Sequence, residues 1–335
     1  MPTTRQLTAD GRRLLLDGRP LRPFGLRLAN ALEDDRHADQ LVAHLGEYAE
    51  YGIGSFSVFL QGAWSGTANA FRADGTLDPA YMARLARIIE AADAHEMAVN
   101  VGYLYQSRPF RETSDRTLLE RMMRGELSRE GWALRDVFTD GNALVEGVAN
   151  ATRWLKGQGY ANVFVDIANE FNTAGYRQTK PMYDVADPQC MLALIRLARD
   201  IYPGLLVGAS VYDVWHLYAG IGAEGGIVLV HGLPARLKKQ VMSHYPGVPV
   251  VENESGNWLG CLDRYDSVGV FSEEMKAIFK ADCREMFEAG EYWYLFSRWQ
   301  QMVPVHFELG GYGTAEDPGI RWMLEYFRDL WQGRA

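Results

Sequence analysis

Between residues 24 and 297 the chain alternates short apolar runs with amphipathic stretches of helical spacing, and this alternation limits its folds more than any other feature. The runs are FGLRLAN (24–30), IGSFSVFL (53–60), MAVNVGYLYQ (97–106), VFVDIAN (163–169), LLVGASVY (205–212), GIVLVHG (226–232), VPVVENE (248–254) and YWYLFS (292–297). Each has the length and the β-branched or aromatic content of a buried strand. Between them, apolar side chains recur every three or four residues, as in Met82, Leu85, Ile88 and Ile89, or Leu192, Ile195, Ala198 and Ile201. Helical stretches are also predicted at 141–157, 273–289 and 322–330, with a short one around 213–222 and another from Ser114 to Met123. Asp78-Pro79, Asp187-Pro188 and Asp317-Pro318 each place an N-cap acceptor before a proline suited to the first helical turn.

Strand–helix alternation dictates a parallel sheet with right-handed crossovers. Eight units without a GxGxxG fingerprint predict a closed (β/α)8 TIM barrel over residues 22–335 of a single domain spanning 1–335. The preceding segment, 1–21, predicts a β-hairpin turning at Asp17-Gly18. Loops following the strands, such as 107–140, 171–187, 255–272 and 298–317, are long, whereas 94–97 and 159–162 are short. Barrels build their active sites from the loops that follow the strands, so the asymmetry points to one functional mouth.

Charge narrows the partners. With 34 Lys and Arg against 43 Asp and Glu, the formal net charge is −9, which argues against nucleic-acid and anionic-membrane partners. Three cysteines in no CxxC pair favour a reducing compartment. The opening residues lack the apolar core of a secretory signal, and the expectation is a cytoplasmic protein. No cofactor motif is present, and neither HxH nor HExxH occurs, so neither a metal nor a cofactor is expected.

Two strand ends carry candidate chemistry. The fourth run closes on Asn169-Glu170 and the seventh on Glu252-Asn253-Glu254. Carboxylates at the C-terminal tips of nearly opposite barrel strands can face each other across the mouth. Such a pair suits glycosidic cleavage, in which one group protonates the leaving oxygen and the other attacks the anomeric carbon.

These strings, together with DGRRLLLDGRPLRPFGLRLAN at the start of the barrel, resemble the clan A glycoside hydrolases of the cellulase and β-mannanase type. The resemblance implies a retaining hydrolase of an oligosaccharide or glycoside, with Glu170 as acid/base and Glu254 as nucleophile. Asn169 would bind the sugar 2-hydroxyl, and His231 and Trp293 would be supporting residues. Glu252 competes with Glu254, because both have the same strand parity and both could point inward. On that reading Glu252 lies deeper and pairs with a cation, for which Arg27 is a candidate, while Arg27, His231 or Asn253 could donate to the nucleophile. The chain departs from the clan at strands two and three, where Gln61, Asn100, Tyr103, Tyr105 and Gln106 stand in place of the expected Arg and His.

Trp64, Tyr105, Tyr176, Trp258, Trp299 and Tyr312 lie on mouth loops or strand ends and are candidate platforms for sugar rings. The competing readings are a metal-dependent barrel hydrolase or isomerase using His231 and Glu254, and a non-catalytic carbohydrate-binding barrel.

Overall fold

The structure, a computed structural model, describes residues 3–63, 68–107, 133–134, 137–172, 183–212, 219–231, 235–255, 269–301 and 305–335. Three short strands, β1 (Leu7–Asp10), β2 (Arg13–Leu16) and β3 (Arg19–Pro20), form the expected antiparallel N-terminal sheet. The barrel follows as β4 (Phe24–Arg27), β5 (Ile53–Phe59), β6 (Ala98–Leu104), β9 (Val163–Ala168), β10 (Leu206–Gly208), β11 (Val211–Tyr212), β12 (Val228–His231), β13 (Val250–Glu254) and β14 (Tyr292–Leu295). A small antiparallel ladder, β7 (Gln106–Ser107) with β8 (Ala133–Leu134), stands apart from it.

All pairings within the barrel are parallel, and the hydrogen-bonded order runs β10-β9-β6-β5-β4-β14-β13-β12-β11. The fifth barrel strand is split: β10 pairs with β9 and β11 pairs with β12, and Ala209-Ser210 lies at the break. An isolated parallel bridge, Val207 to Gly226, ties the first half to the far side. The sheet therefore closes into the (β/α)8 barrel that the alternation predicts.

Capping sets the helix starts. Asp78 and Asp187 accept from the backbone N–H groups of Ala80 and Gln189, each with proline in the first turn of Pro79–Ala94 and Pro188–Ile201. Asp140 and Ser272 cap Gly141–Gln158 and Glu273–Ala289, which end at Gly159 and Gly290 in the left-handed region. Asp317-Pro318 does not cap a helix. The Asp317 carboxylate instead accepts from the Tyr312 N–H at 2.9 Å, and the last helix, Arg321–Trp331, begins later behind Ile320. The short fifth helix is Ala219–Gly225, and residues 114–123 lie outside the described residues.

Alternate residues of each strand divide between two apolar layers. Phe24, Leu26, Ile53, Phe56, Val163 and Val165 face the helices. Ala98, Phe164, Leu206, Ile227, Leu229, Val251, Tyr292 and Tyr294 fill the barrel and meet Leu7, Leu14, Leu16 and Leu21 of the hairpin sheet. The hairpin thus plugs the barrel floor, and the Leu14 N–H donates to the Tyr292 hydroxyl at 2.7 Å. Two glycines make room for large rings inside: a Cβ on Gly25 would lie 2.3 Å from the Tyr294 ring, and one on Gly102 would lie 2.1 Å from Phe59. Among the described residues no helix is long and apolar enough to cross a membrane.

Candidate active site

Four strand ends bring the charged groups together above the filled interior. Arg27 ends β4 on the inward parity of Gly25, and its guanidinium is wholly buried. It lies 4.9 Å from the centroid of the Phe59 ring and 5.8 Å from that of Tyr105, which themselves meet edge to face at 5.1 Å. Its donors fan out to three partners. Nε is 3.0 Å from Glu254 Oε2, Nη1 donates to the Asn253 carbonyl at 3.0 Å, and Nη2 donates to Asn169 Oδ1. Arginine supplies such a fork because its donors are fixed in one plane.

Glu254 reaches the mouth through an irregularity in β13. Val230 is opposite Glu252, but the next residue, His231, is opposite Glu254, so β13 carries one extra residue. Asn253 and Glu254 consequently both face the lumen: the Asn253 amide donates downward to Asp166 Oδ2 at 3.1 Å while Glu254 meets Arg27. The same-parity expectation for Glu252 is corrected. Glu252 shares the face of Val250, which packs with Val230 and Val241 outside the barrel, and Arg27 pairs with Glu254 instead.

Glu170 follows β9 with φ +48°, left-handed backbone that costs a non-glycine residue about 1–2 kcal/mol. Strain of this kind persists where surrounding bonds hold it. Here the Asn169 N–H donates to the Leu104 carbonyl at 3.0 Å and the Phe171 N–H to the Ser210 carbonyl at 3.2 Å, one on each side of Glu170. Both carboxylates are mostly covered, with side chains 13% exposed at Glu170 and 10% at Glu254.

His231, closing β12, stands between them. Its Nδ1 is 3.2 Å from Glu170 Oε1 and 3.5 Å from Glu254 Oε2. Burial pushes the imidazole down to about 4, against the pull of Glu254, so the ring is neutral at pH 7. A neutral ring with its proton on Nδ1 can donate between the two carboxylates. Burial also pushes the Glu254 carboxyl above its ordinary range, while Arg27 and His231 hold it back. For Arg27 burial opposes the charge, yet Glu254, Tyr105 and Asp166 together raise its pKa and keep it cationic.

Glu170, His231 and Glu254 each offer a ligand atom within 4.8 Å of the others, so they form a group that could hold a metal ion. The Arg27 guanidinium beside Glu254 already supplies positive charge there and would repel a cation.

Of the residues expected at the site, Glu170, Glu254, Asn169, Arg27, His231 and Tyr105 converge. Trp293 does not. On β14 the flanking Tyr292 and Tyr294 point inward, so Trp293 faces the helices and packs edge to face on Phe279 at 5.7 Å and Phe327 at 5.6 Å. Trp299 stacks on His306 at 4.3 Å and donates to the Glu308 carbonyl, packing against its own loop. Tyr312 turns its hydroxyl to Glu325 on the last helix. Trp64, Tyr176 and Trp258 lie outside the described residues. Sequence reasoning did not single out Phe59, the platform for Arg27, or Ser210 at the strand break. For Phe59 the available signal was its inward parity with Ser57 opposite a glycine strand position.

No protein-family model matches the chain, and no curated protein matches it by sequence. Solved structures match its fold over nearly the whole length. A β-mannanase from the blue mussel Mytilus edulis superposes with a TM-score of 0.56 at 14% identity, covering 98% of this chain and 96% of that one. A glycoside hydrolase family 5 protein from Bacteroides vulgatus gives 0.59 at 13% identity, covering 98% and 70%. An exo-β-1,4-mannosidase from an Opitutaceae bacterium, strain TAV5, gives 0.57 at 14% identity, covering 94% and 60%. The fold that these structures share with the chain is the (β/α)8 barrel.

Proposed function

We propose that the protein is a retaining glycoside hydrolase acting on a β-linked oligosaccharide or glycoside. The observation that carries this reading is the convergence of Glu170 and Glu254, from the ends of β9 and β13, to oxygens within 4.8 Å of each other at the barrel mouth. Retaining enzymes hold their carboxyls about 5–5.5 Å apart, whereas inverting enzymes leave about 6.5–9.5 Å for a water. The names of the structural neighbours, mannanases and a mannosidase among them, agree with a carbohydrate substrate.

Glu254 is the nucleophile. Arg27 and His231 favour its ionised form, and its position nearer the mouth than Asp166 lets it reach an anomeric carbon. Glu170 is the acid/base: it protonates the leaving oxygen while Glu254 forms the glycosyl–enzyme bond, then takes a proton from the water that hydrolyses this bond. Asn169, its Oδ1 held by Arg27, presents its amide to the sugar 2-hydroxyl.

Incubation with a panel of 2-deoxy-2-fluoro β-glycosides, mannosides and glucosides first, followed by intact mass and peptide mapping, tests the assignment. A stable adduct on Glu254 is expected. An adduct on another carboxylate overturns the nucleophile, and Glu170→Gln or Glu254→Gln at wild-type rates on a turned-over substrate overturns the pairing.

A further inference from the structure

Beneath the pair lies a third carboxylate that the reaction does not use directly. Asp166, on β9, is wholly buried on the lumen side. It accepts from the Ser210 N–H at 2.9 Å, from the Ser210 hydroxyl, and from the Asn253 amide at 3.1 Å. These two partners lead to opposite sides of the mouth. The Ser210 carbonyl accepts the Phe171 N–H and so braces the strained turn at Glu170. The Asn253 carbonyl accepts Arg27 Nη1, and Arg27 meets both Glu254 and Asn169.

We infer that Asp166 is a positioning residue that ties the two catalytic carboxylates into one frame, through Ser210 to Glu170 and through Asn253 and Arg27 to Glu254. This rests on the glycosidase reading above and extends it to a residue that touches no substrate. A carboxylate suits the place because every group around it donates. An asparagine there would set an N–H against the Ser210 hydroxyl or the Asn253 amide, forcing one of the two braces to turn. The charge acts as well: Asp166 and Glu170 raise the Glu254 carboxyl further above its burial-raised value, while Arg27 from β4 and His231 from β12 lower it. Tyr105, just after β6, is a further titratable group facing that carboxylate among the described residues.

The test compares wild type, Asp166→Asn and Ser210→Ala in the same assay, with thermal melting to establish folding. For D166N we expect kcat to fall about 10²-fold, the loss that a misplacement of about 1 Å produces, with KM nearly unchanged. The acid limb of kcat/KM should move to lower pH, because a negative charge near Glu254 has been removed. S210A, which keeps the backbone bonds, should lose less, and a merely structural role would lower the melting temperature without moving the limb. Folded D166N with wild-type kcat and an unmoved limb overturns the proposal while leaving the hydrolase reading intact. If D166N does not fold, S210A carries the test, and a wild-type kcat overturns it. A wild-type protein that neither turns over nor is labelled by any glycoside overturns the hydrolase reading, and the proposal with it.

Discussion

Removing the Arg27 guanidinium should cost stability and acid tolerance together, and the structure says by how much. Arg27 Nε and Glu254 Oε2 are 3.0 Å apart in a buried site. At that distance and an effective dielectric of about 20, their attraction is about 5.5 kcal/mol. Desolvation of the two ions offsets part of this, and deleting one partner of a buried pair costs about 3–5 kcal/mol. Arg27→Met should therefore lower the free energy of unfolding at pH 7 by that amount, read from urea midpoints at an unchanged slope. The deficit should shrink as the pH falls. Burial already raises the Glu254 carboxyl, and without Arg27 it rises further. A raised carboxyl favours the fold while protonated, below the ordinary carboxylate range, and this contribution is lost as pH climbs through the raised value. At pH 4 the variant should thus lie nearer wild type than at pH 7, and the acid limb of kcat/KM should move to higher pH. Arg27→Lys keeps the charge but reaches fewer of the three partners, so it should recover part of the stability and little of kcat. A loss below about 1 kcal/mol for R27M, or a deficit equal at both pH values, would refute the argument that one buried ion pair anchors Glu254.

Three further outcomes can be checked. His231 should remain neutral far below the usual histidine range, with ring-proton shifts in NMR titrating near 4; because the fold disfavours the charged ring, the stability it contributes is present above about 6.5 and lost as pH falls from there through about 4. Gly102→Ala should destabilise the protein by about 1–3 kcal/mol, since the new Cβ would lie 2.1 Å from the Phe59 ring that carries Arg27, and calorimetry should show it alongside a lowered kcat. Trp293→Ala should cost about 3–5 kcal/mol in chemical denaturation yet leave KM unchanged in the folded fraction, because the indole is packed between Phe279 and Phe327.

The barrel was legible because its signals are local. Apolar runs and Asp-Pro caps at 78–79 and 187–188 need no knowledge of distant residues, and Glu170 and Glu254, which the fold brings together, were singled out from their place at run ends. Arg27 was also readable, since a lone cation on an inward strand position requires a counter-charge. What failed depended on long-range geometry. The extra residue in β13 separates Glu252 from Glu254, and no periodicity within VPVVENE reveals a register shift set by its neighbour β12. Trp293 was misplaced because parity on β14 is fixed only by Tyr294 closing over Gly25. Asp317 had another donor, the Tyr312 N–H, that competed for the cap. Ser210 reads as one small residue in GAS, and only the split strand brings it to both Asp166 and Phe171.

That split has a consequence for motion. Where β10 gives way to β11, the ladder is interrupted and the wall is stitched instead by side-chain bonds from Ser210 to Asp166 and the backbone bond from Phe171. Local opening is easiest where backbone pairing is sparse, and here the break lies beside the strained turn at Glu170. A ligand held by Glu170 should therefore slow amide exchange at Phe171 and Ser210, the residues bonded to each other beside that turn.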